Sequence, residues 1–380
     1  MMKPYYLLLL VLSPFFACST ISKSSLQQYS PEHELLRYTG RIDFTETEKP
    51  LLVGSASSVE FSFQGDSCRV YLQKMNPAAE HNYVSLELDG EYMGRVKLER
   101  NAMEPYTVQV PVVLGSPQPY SSAEAFHKLK VLKATEAQNG SIAFGGVQTL
   151  SLGELPPAPM RSIEFIGNSI TCGMGVDWKE VPCDTGVWYD QHNAYWAYGP
   201  RVARALNTRY MLSSVSGIGM YRNWNSPSPV MPDVYENLYL NTEGEKKWNF
   251  ENFSPDLVSI CLGTNDFSDG DGIKERLAFD SAVFVSSYIE FVNTIYNKYP
   301  DTQVCLLTSP MVSGEKGAVF LNCLQAVQHH FNRQGQRSKP IAVYNFESIV
   351  PHGCGYHPDR KDHAQMAEVL IPFYMKVMGW

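Results

Sequence analysis

The sequence predicts a two-domain fold. An N-terminal all-β sandwich, jelly-roll-like, is followed by a C-terminal α/β domain of three layers around a parallel sheet. Three observations carry this expectation. Residues 36–152 consist of short runs that alternate apolar and polar positions between turn residues, with no long helical period among them. Gly153-Glu-Leu-Pro-Pro-Ala-Pro159 is a proline-rich break and marks the domain junction. From residue 160 to 380, β-branched runs alternate with stretches of helical spacing, the rhythm of a parallel sheet covered by helices on both faces.

The 380 residues exceed one average domain, and 44% hydrophobic with 18% charged residues is ordinary globular composition. A formal charge of −8 with no basic stripe argues against a nucleic-acid partner. The chain opens with Met1-Met-Lys-Pro, an apolar run from Tyr5 to Phe16, then Ala17-Cys-Ser-Thr20. That run is too short to span a bilayer and reads as an export signal over residues 1–18. Phe15-Phe-Ala-Cys18 resembles a loose bacterial lipobox, in which Cys18 carries a lipid anchor and the protein is a cell-envelope lipoprotein. Ordinary cleavage nearby, giving a secreted protein, is the alternative. Residues 19 to about 35 are polar and read as a tether.

The expected sandwich strands are Ser58–Phe63, Cys68–Leu72, Asn82–Leu88, Tyr92–Leu98, Tyr106–Val113, His127–Leu132 and Ser141–Phe144, with Asp89-Gly90 as a hairpin turn. No catalytic constellation is visible among them. In the second domain, strands are expected at Ile163–Ile166, Arg209–Val215, Leu257–Leu262, Gln303–Leu307 and Ile341–Asn345. Helices are expected over Asn193–Leu206, Phe279–Tyr299, Gly317–Asn332 and Asp362–Val377. Eight cysteines are present. Cys172 and Cys183 flank one loop and could pair across it, while Cys261 and Cys305 sit in apolar runs and read as buried thiols.

In an open α/β sheet, ligands bind beyond the carboxyl ends of the strands. The first strand ends at Gly167-Asn168-Ser169, which leaves a hydroxyl at that edge, as a nucleophile requires or as a capping turn would. The other strand ends lead into Ser216-Gly-Ile-Gly219, Gly263-Thr-Asn-Asp266 and His352-Gly-Cys-Gly-Tyr-His-Pro358. Together they offer a backbone N–H, a side-chain amide and an imidazole.

Taken in order, Gly167-Asn-Ser169, Gly217, Gly263-Thr-Asn265 and His357-Pro358 resemble the four blocks of the SGNH (GDSL-type) hydrolases. The resemblance covers residues 160–380. The β-sandwich in front, Gly-Asn-Ser-Ile-Thr-Cys-Gly173, and Ser216-Gly-Ile-Gly followed by Tyr221-Arg-Asn223 are similar to carbohydrate esterase family 2. The resemblance implies removal of acetyl groups from plant polysaccharides such as xylan and mannans, with no metal or organic cofactor. It implies Ser169 as nucleophile and His357 as base, with an oxyanion hole of the Ser169 and Gly217 N–H groups and the Asn265 amide. Asn168 stands where the superfamily usually has Asp. Cys354 stands where many relatives carry an Asp three residues before the histidine. A Ser–His dyad is therefore expected, its base oriented by a backbone carbonyl or by a carboxylate from elsewhere, Asp359 or Asp362.

Trp224, Arg222 and Asn223 are the expected sugar contacts, while Trp178, Trp188 and Tyr189 are either platforms or packing. His329 and His330 read as solvated, and His363 as bonding locally at the start of the last helix. The spacing of His352, His357, His363 and Asp359 matches no familiar metal site. Asp266, Asp269 and Asp271 lack the register of a calcium loop and read as a solvated loop. Rival readings are a lipase-like or sialate-type esterase, acetyl transfer to a sugar, and a carbohydrate-binding protein without turnover.

Overall fold

The structure, a computed structural model, describes residues 25–76, 79–111, 125–244, 246–333 and 339–380. The expected export segment with Cys18 lies outside the described residues, as do residues 19–24 of the expected tether. The first domain contains β1 (Gln27–Tyr29), β2 (Arg37–Thr39), β3 (Ile42–Asp43), β4 (Leu51–Leu52), β5 (Ser58–Gln64) and β6 (Ser67–Lys74). It continues with β7 (Asn82–Leu88), β8 (Glu91–Leu98), β9 (Glu104–Gln109), β10 (Phe126–Lys133), β11 (Ile142–Thr149) and β12 (Leu152–Gly153). These form two antiparallel sheets, β3-β4-β11-β6-β9 with β1 on β11, and β12-β5-β10-β7-β8 with β2 on β5.

The core of this domain follows from the period of two. Val59, Phe61 and Phe63 of β5 and Leu129 and Val131 of β10 are buried with Val70, Leu72, Phe144 and Val147 of the other sheet. Asp89 and Gly90 both have positive φ, +52° and +89°, as a two-residue hairpin demands. One expectation is corrected. Residues 27–29 are not tether but a strand, paired antiparallel with Val147–Thr149. Three polar residues carry no periodic signal, and the edge of β11 supplies the order.

The second domain is a five-stranded parallel sheet of order β14-β13-β15-β16-β17. Its strands are β13 (Ser162–Gly167), β14 (Arg209–Ser214), β15 (Leu257–Cys261), β16 (Gln303–Leu307) and β17 (Ala342–Tyr344). The helices are α1 (Ser169–Cys172), α2 (Tyr198–Leu206), α3 (Met231–Val234), α4 (Ser281–Lys298), α5 (Gly314–Arg333) and α6 (Arg360–Met378). Phe284, Phe291 and Ile295 of α4 and Leu324 and Val327 of α5 bury one face of the sheet. Tyr198 and Val202 of α2 and Met366, Leu370 and Tyr374 of α6 bury the other. The helix expected from Asn193 begins only at Tyr198. The Asn193 carboxamide caps a separate short turn, Ala194–Trp196, and Ala197 then returns to an extended backbone.

Parallel register aligns Gly167 with Ser214 on one side and Cys261 on the other. Ser169, Gly217 and Asn265 therefore leave the sheet from one edge.

The two domains are joined by a buried cation. Arg41, between β2 and β3, donates from Nε to Ser213 Oγ (3.1 Å), from Nη1 to Asn237 O (2.9 Å) and from Nη2 to Tyr235 O (2.9 Å). Glu164 completes the charge balance, accepting from Ser213 Oγ (2.6 Å) and the Tyr235 hydroxyl (2.9 Å). Truncation of Arg41 strands that carboxylate and two carbonyls in the interior. Arg41→Ala is expected to lower unfolding free energy by about 3–5 kcal/mol, measured by urea titration. A loss under about 1 kcal/mol, the usual worth of a surface pair, would show the network to be ornamental.

Candidate active site

Strand β13 ends at Gly167, where there is no room for a side chain: a Cβ there would lie 2.0 Å from Thr171 Oγ1. Asn168 then caps α1, its Oδ1 accepting from Ile170 N at 3.1 Å. Ser169 is the first helical residue, so its own N–H has no intrahelical acceptor. Its hydroxyl faces His357, with Oγ 2.8 Å from Nε2.

The imidazole is fixed from behind. Its Nδ1 lies 2.7 Å from Gly355 O, and a carbonyl only accepts, so Nδ1 carries the proton and the Nε2 lone pair faces the hydroxyl. Burial holds the His357 pKa down at about 4, which keeps the ring neutral. The loop that presents it is tightly wound. Gly355 and Tyr356 both adopt left-handed backbone (φ +61° and +60°). Cys354 N donates to Gly175 O at 3.2 Å, and Gly353 N to His357 O at 2.8 Å.

A disulfide joins Cys183 to Cys354, 171 residues apart. The possible Cys172–Cys183 pair is therefore corrected. Cys172 is a free, buried thiol on α1 turned inward, with Sγ 3.2 Å from Ser214 Oγ. Cys354, three residues before the histidine, clamps the histidine loop to the loop after Ser169. Neither Asp359 nor Asp362 reaches the imidazole. Asp359 caps α6 through Lys361 N (2.7 Å) and Asp362 N (3.0 Å), and Asp362 holds His352 Nδ1 (2.9 Å).

The loops after β14 and β15 are folded around a second carboxylate. Asp266 is fully buried and accepts from the N–H groups of Met220 (2.9 Å), Tyr221 (2.8 Å) and Arg222 (3.2 Å). Burial pushes its carboxyl up to about 6, against the opposing pull of those donors. The expected solvated loop is thus corrected for Asp266. Arg276 bridges the same loops, with Nη2 on Asn265 O (2.6 Å) and Nη1 on Asn223 O (2.5 Å). Asn265 donates one Nδ2 hydrogen to Ile218 O (2.7 Å) and keeps the other.

Ser169, Gly217, Asn265 and His357 line one cleft of about 1000 Å³. Trp188 (48% exposed) and Trp224 (40% exposed) stand in its wall, with Tyr356 and Lys316. Arg222 and Asn223, expected as sugar contacts, are corrected to loop supports. The Arg222 guanidinium donates to Asp266 O (2.8 Å) and Leu277 O (2.6 Å), and the Asn223 carboxamide to Pro229 O (2.8 Å). Tyr189 is buried, and Trp178 donates to Asp359 (3.4 Å). His363 bonds not locally but across the domain, accepting from Tyr198 N at 3.2 Å.

The sandwich domain also enters the site, which its sequence did not reveal. Glu136, fully buried, accepts from Ser216 N at 2.6 Å and lies 3.2 Å from His192 Nε2, while Gln138 lines the cleft. Glu136-Ala-Gln-Asn-Gly140 reads locally as an ordinary polar turn. Only the docking of the two domains converts it into a support.

A hydroxyl at a strand end, a neutral imidazole aimed at it and free N–H groups facing the same cleft define an SGNH-type hydrolase fold and site. The chain belongs to the GDSL-like lipase/acylhydrolase family, whose model matches residues 165–359. A second model, carbohydrate esterase 2 N-terminal, matches residues 38–159. Cellulase/esterase CelE of Acetivibrio thermocellus is 29% identical over 357 residues, 90% of this chain, and the chain spans 39% of its length. An acetylxylan esterase/glucomannan deacetylase of Cellvibrio japonicus is 28% identical over 67% of this chain and 68% of its own length. A family two carbohydrate esterase from Clostridium thermocellum, solved in complex with cellohexaose, superposes with a TM-score of 0.78. It is 27% identical, over 91% of this chain and 99% of that one.

Two outcomes follow from the geometry. A base must be neutral to accept a proton, and the acid limb of kcat/KM reports its pKa in the free enzyme. With that pKa near 4, kcat/KM should stay level down to about pH 5 and fall below it. A limb centred at 6.5 or above would contradict the half-buried, carbonyl-held ring. Separately, Cys183→Ser with Cys354→Ser should cost about 2–4 kcal/mol of stability by urea unfolding. Because Gly355 adjoins Cys354, kcat should fall more than KM rises.

Proposed function

We propose that this chain is a carbohydrate O-acetylesterase of the family 2 type, acting on acetylated plant polysaccharide of the xylan or mannan class. The observation that carries the reading is the 2.8 Å contact between Ser169 Oγ and His357 Nε2, with Nδ1 anchored on a main-chain carbonyl. The similarity to acetylxylan esterase/glucomannan deacetylases supports the substrate class.

In the reaction, Ser169 Oγ attacks the acetyl carbonyl as His357 Nε2 takes the hydroxyl proton. The carbonyl oxygen becomes an oxyanion, held by the Ser169 and Gly217 N–H groups and the free hydrogen of Asn265 Nδ2. Collapse breaks the bond to the sugar oxygen, which leaves with the proton from His357, and Ser169 remains acetylated. Water then enters, gives its proton to His357 and attacks the acetyl group. Acetate departs, and the proton returns to Ser169. Every charge that develops meets a group already held in place, so little reorganisation is required at the moment of reaction. Trp224 and Trp188 offer ring faces on which sugar rings can stack.

A lipase-like acyl group would need an elongated apolar trough. In this cleft Met174, Phe267, Met311 and Val312 are interspersed with Gln138, Asp269, Asp271 and Lys316, a mixture that suits a sugar's apolar face and hydroxyl edge. We further infer an exported protein anchored through lipidated Cys18. The apolar run before that residue supports this, and the Cys183–Cys354 disulfide fits an oxidising compartment. Radiolabelled palmitate should be incorporated in cells and lost in Cys18→Ser.

The deciding assay is acetate release from acetylated xylan, glucomannan and an aryl acetate. Wild type should release it, and Ser169→Ala should lose about 10⁴-fold or more of kcat. Asn265→Ala should lose about 10²–10³-fold, the usual effect of removing one oxyanion donor. Activity unchanged in Ser169→Ala would sink the mechanism. A silent wild type that still binds polysaccharide would make the chain a binding module.

A further inference from the structure

We propose that Gln138, from the sandwich domain, is a positioning residue that aims the Gly217 N–H at the reacting carbonyl. The proposal rests on the esterase reading above and adds a component to it. Peptide units are planar, and Ser216–Gly217 is trans. The Ser216 carbonyl and the Gly217 N–H therefore belong to one rigid plate and point in opposite directions. Whatever holds the carbonyl sets the direction of the donor.

Gln138 holds it. Its Nε2 donates to Ser216 O at 3.0 Å, reaching across from the other domain. The neighbouring polar groups are pinned as well. Ser216 N donates to the buried Glu136 carboxylate at 2.6 Å, and Gly217 O accepts from Trp224 N at 3.1 Å. Among the described residues, no group accepts from the Gly217 N–H, and Gly217 lines the cleft that Ser169 and His357 share. A residue at +78° of φ, free of a side chain, would otherwise let that plate rock. A Cβ at this position would meet the Trp224 ring at 2.8 Å, so the aim cannot be stiffened by substituting Gly217 itself.

Gln138 is exposed and stands in the turn Ala137–Asn139, and among the described residues its Nε2 reaches, besides Ser216 O, only the Glu136 carboxylate, at 3.5 Å. A purely structural account of an exposed glutamine predicts no effect on chemistry. The proposal predicts one. In the full chain acting on 4-nitrophenyl acetate, which has no sugar for Gln138 to touch, Gln138→Met should lower kcat roughly tenfold with KM unchanged. That is less than the ~10²–10³-fold for losing an oxyanion donor outright, because the donor remains but wanders. Gln138→Glu, whose carboxylate repels the Ser216 carbonyl, should be at least as slow. Gln138→Lys, which restores a donor on a chain of similar reach, should recover much of the rate. Affinity for phenylboronic acid, which forms a tetrahedral adduct on a catalytic serine, should weaken in step with kcat. Wild-type kcat and boronate affinity in Gln138→Met would overturn the proposal while leaving the esterase reading intact. Failure of wild type to turn over any acetyl ester would overturn both.

Discussion

The chemistry of this molecule depends on one neutral hydrogen bond, from His357 Nδ1 to the Gly355 carbonyl. It selects the tautomer and aims the ring, and its own upward pull on the pKa is outweighed by burial. A carboxylate in the same place would stabilise imidazolium and raise the pKa. A carbonyl has no net charge to set against desolvation, and the pKa stays near 4. The base is thus unprotonated over a wide acidic range, at the cost of weaker support for the cation that forms during attack. Hydrogen bonds to a charged partner contribute about 1.5–3 kcal/mol against about 0.5–1.5 for neutral ones.

Because orientation rests on the main chain, the main chain has to be held, and the loop around Gly355 is held from several sides. The Cys183–Cys354 disulfide, the pair of hydrogen bonds at Gly353 and Cys354, and two left-handed residues leave the Gly355 carbonyl one direction to point. Gly175 belongs to the same clamp, since a Cβ there would meet Cys354 O at 2.6 Å. The Cys354 clamp therefore contributes by geometry what a neighbouring carboxylate would contribute by charge.

The sandwich domain belongs to the same economy of fixed backbone. Arg41 ties it to the sheet through Ser213, Tyr235 and Asn237, and Glu136 holds the loop that begins two residues beyond β14. Asp266 and Arg276 secure that loop from the other side. The oxyanion site is thus assembled where the domains meet, on segments that neither sheet would order by itself.

Much of this was legible in the chain. Alternation in residues 36–152, helical spacing beyond 160 and the proline-rich junction are local consequences of burying one face or stripe of each element, so the fold class could be read directly. Gly167-Asn-Ser169, Gly217, Gly263-Thr-Asn265 and His357 were legible because they sit at strand ends in a fixed order. What only the tertiary structure decided was pairing over distance. The partner of Cys183, the burial of Asp266, the inward turn of Arg222 and Asn223, and the reach of Glu136 and Gln138 across the domain joint leave no periodic trace. Apart from the Asn223 carboxamide, whose bond to Pro229 O spans six residues, such contacts link residues tens to hundreds of positions apart, and their identity is set by which surfaces meet once each element has already formed.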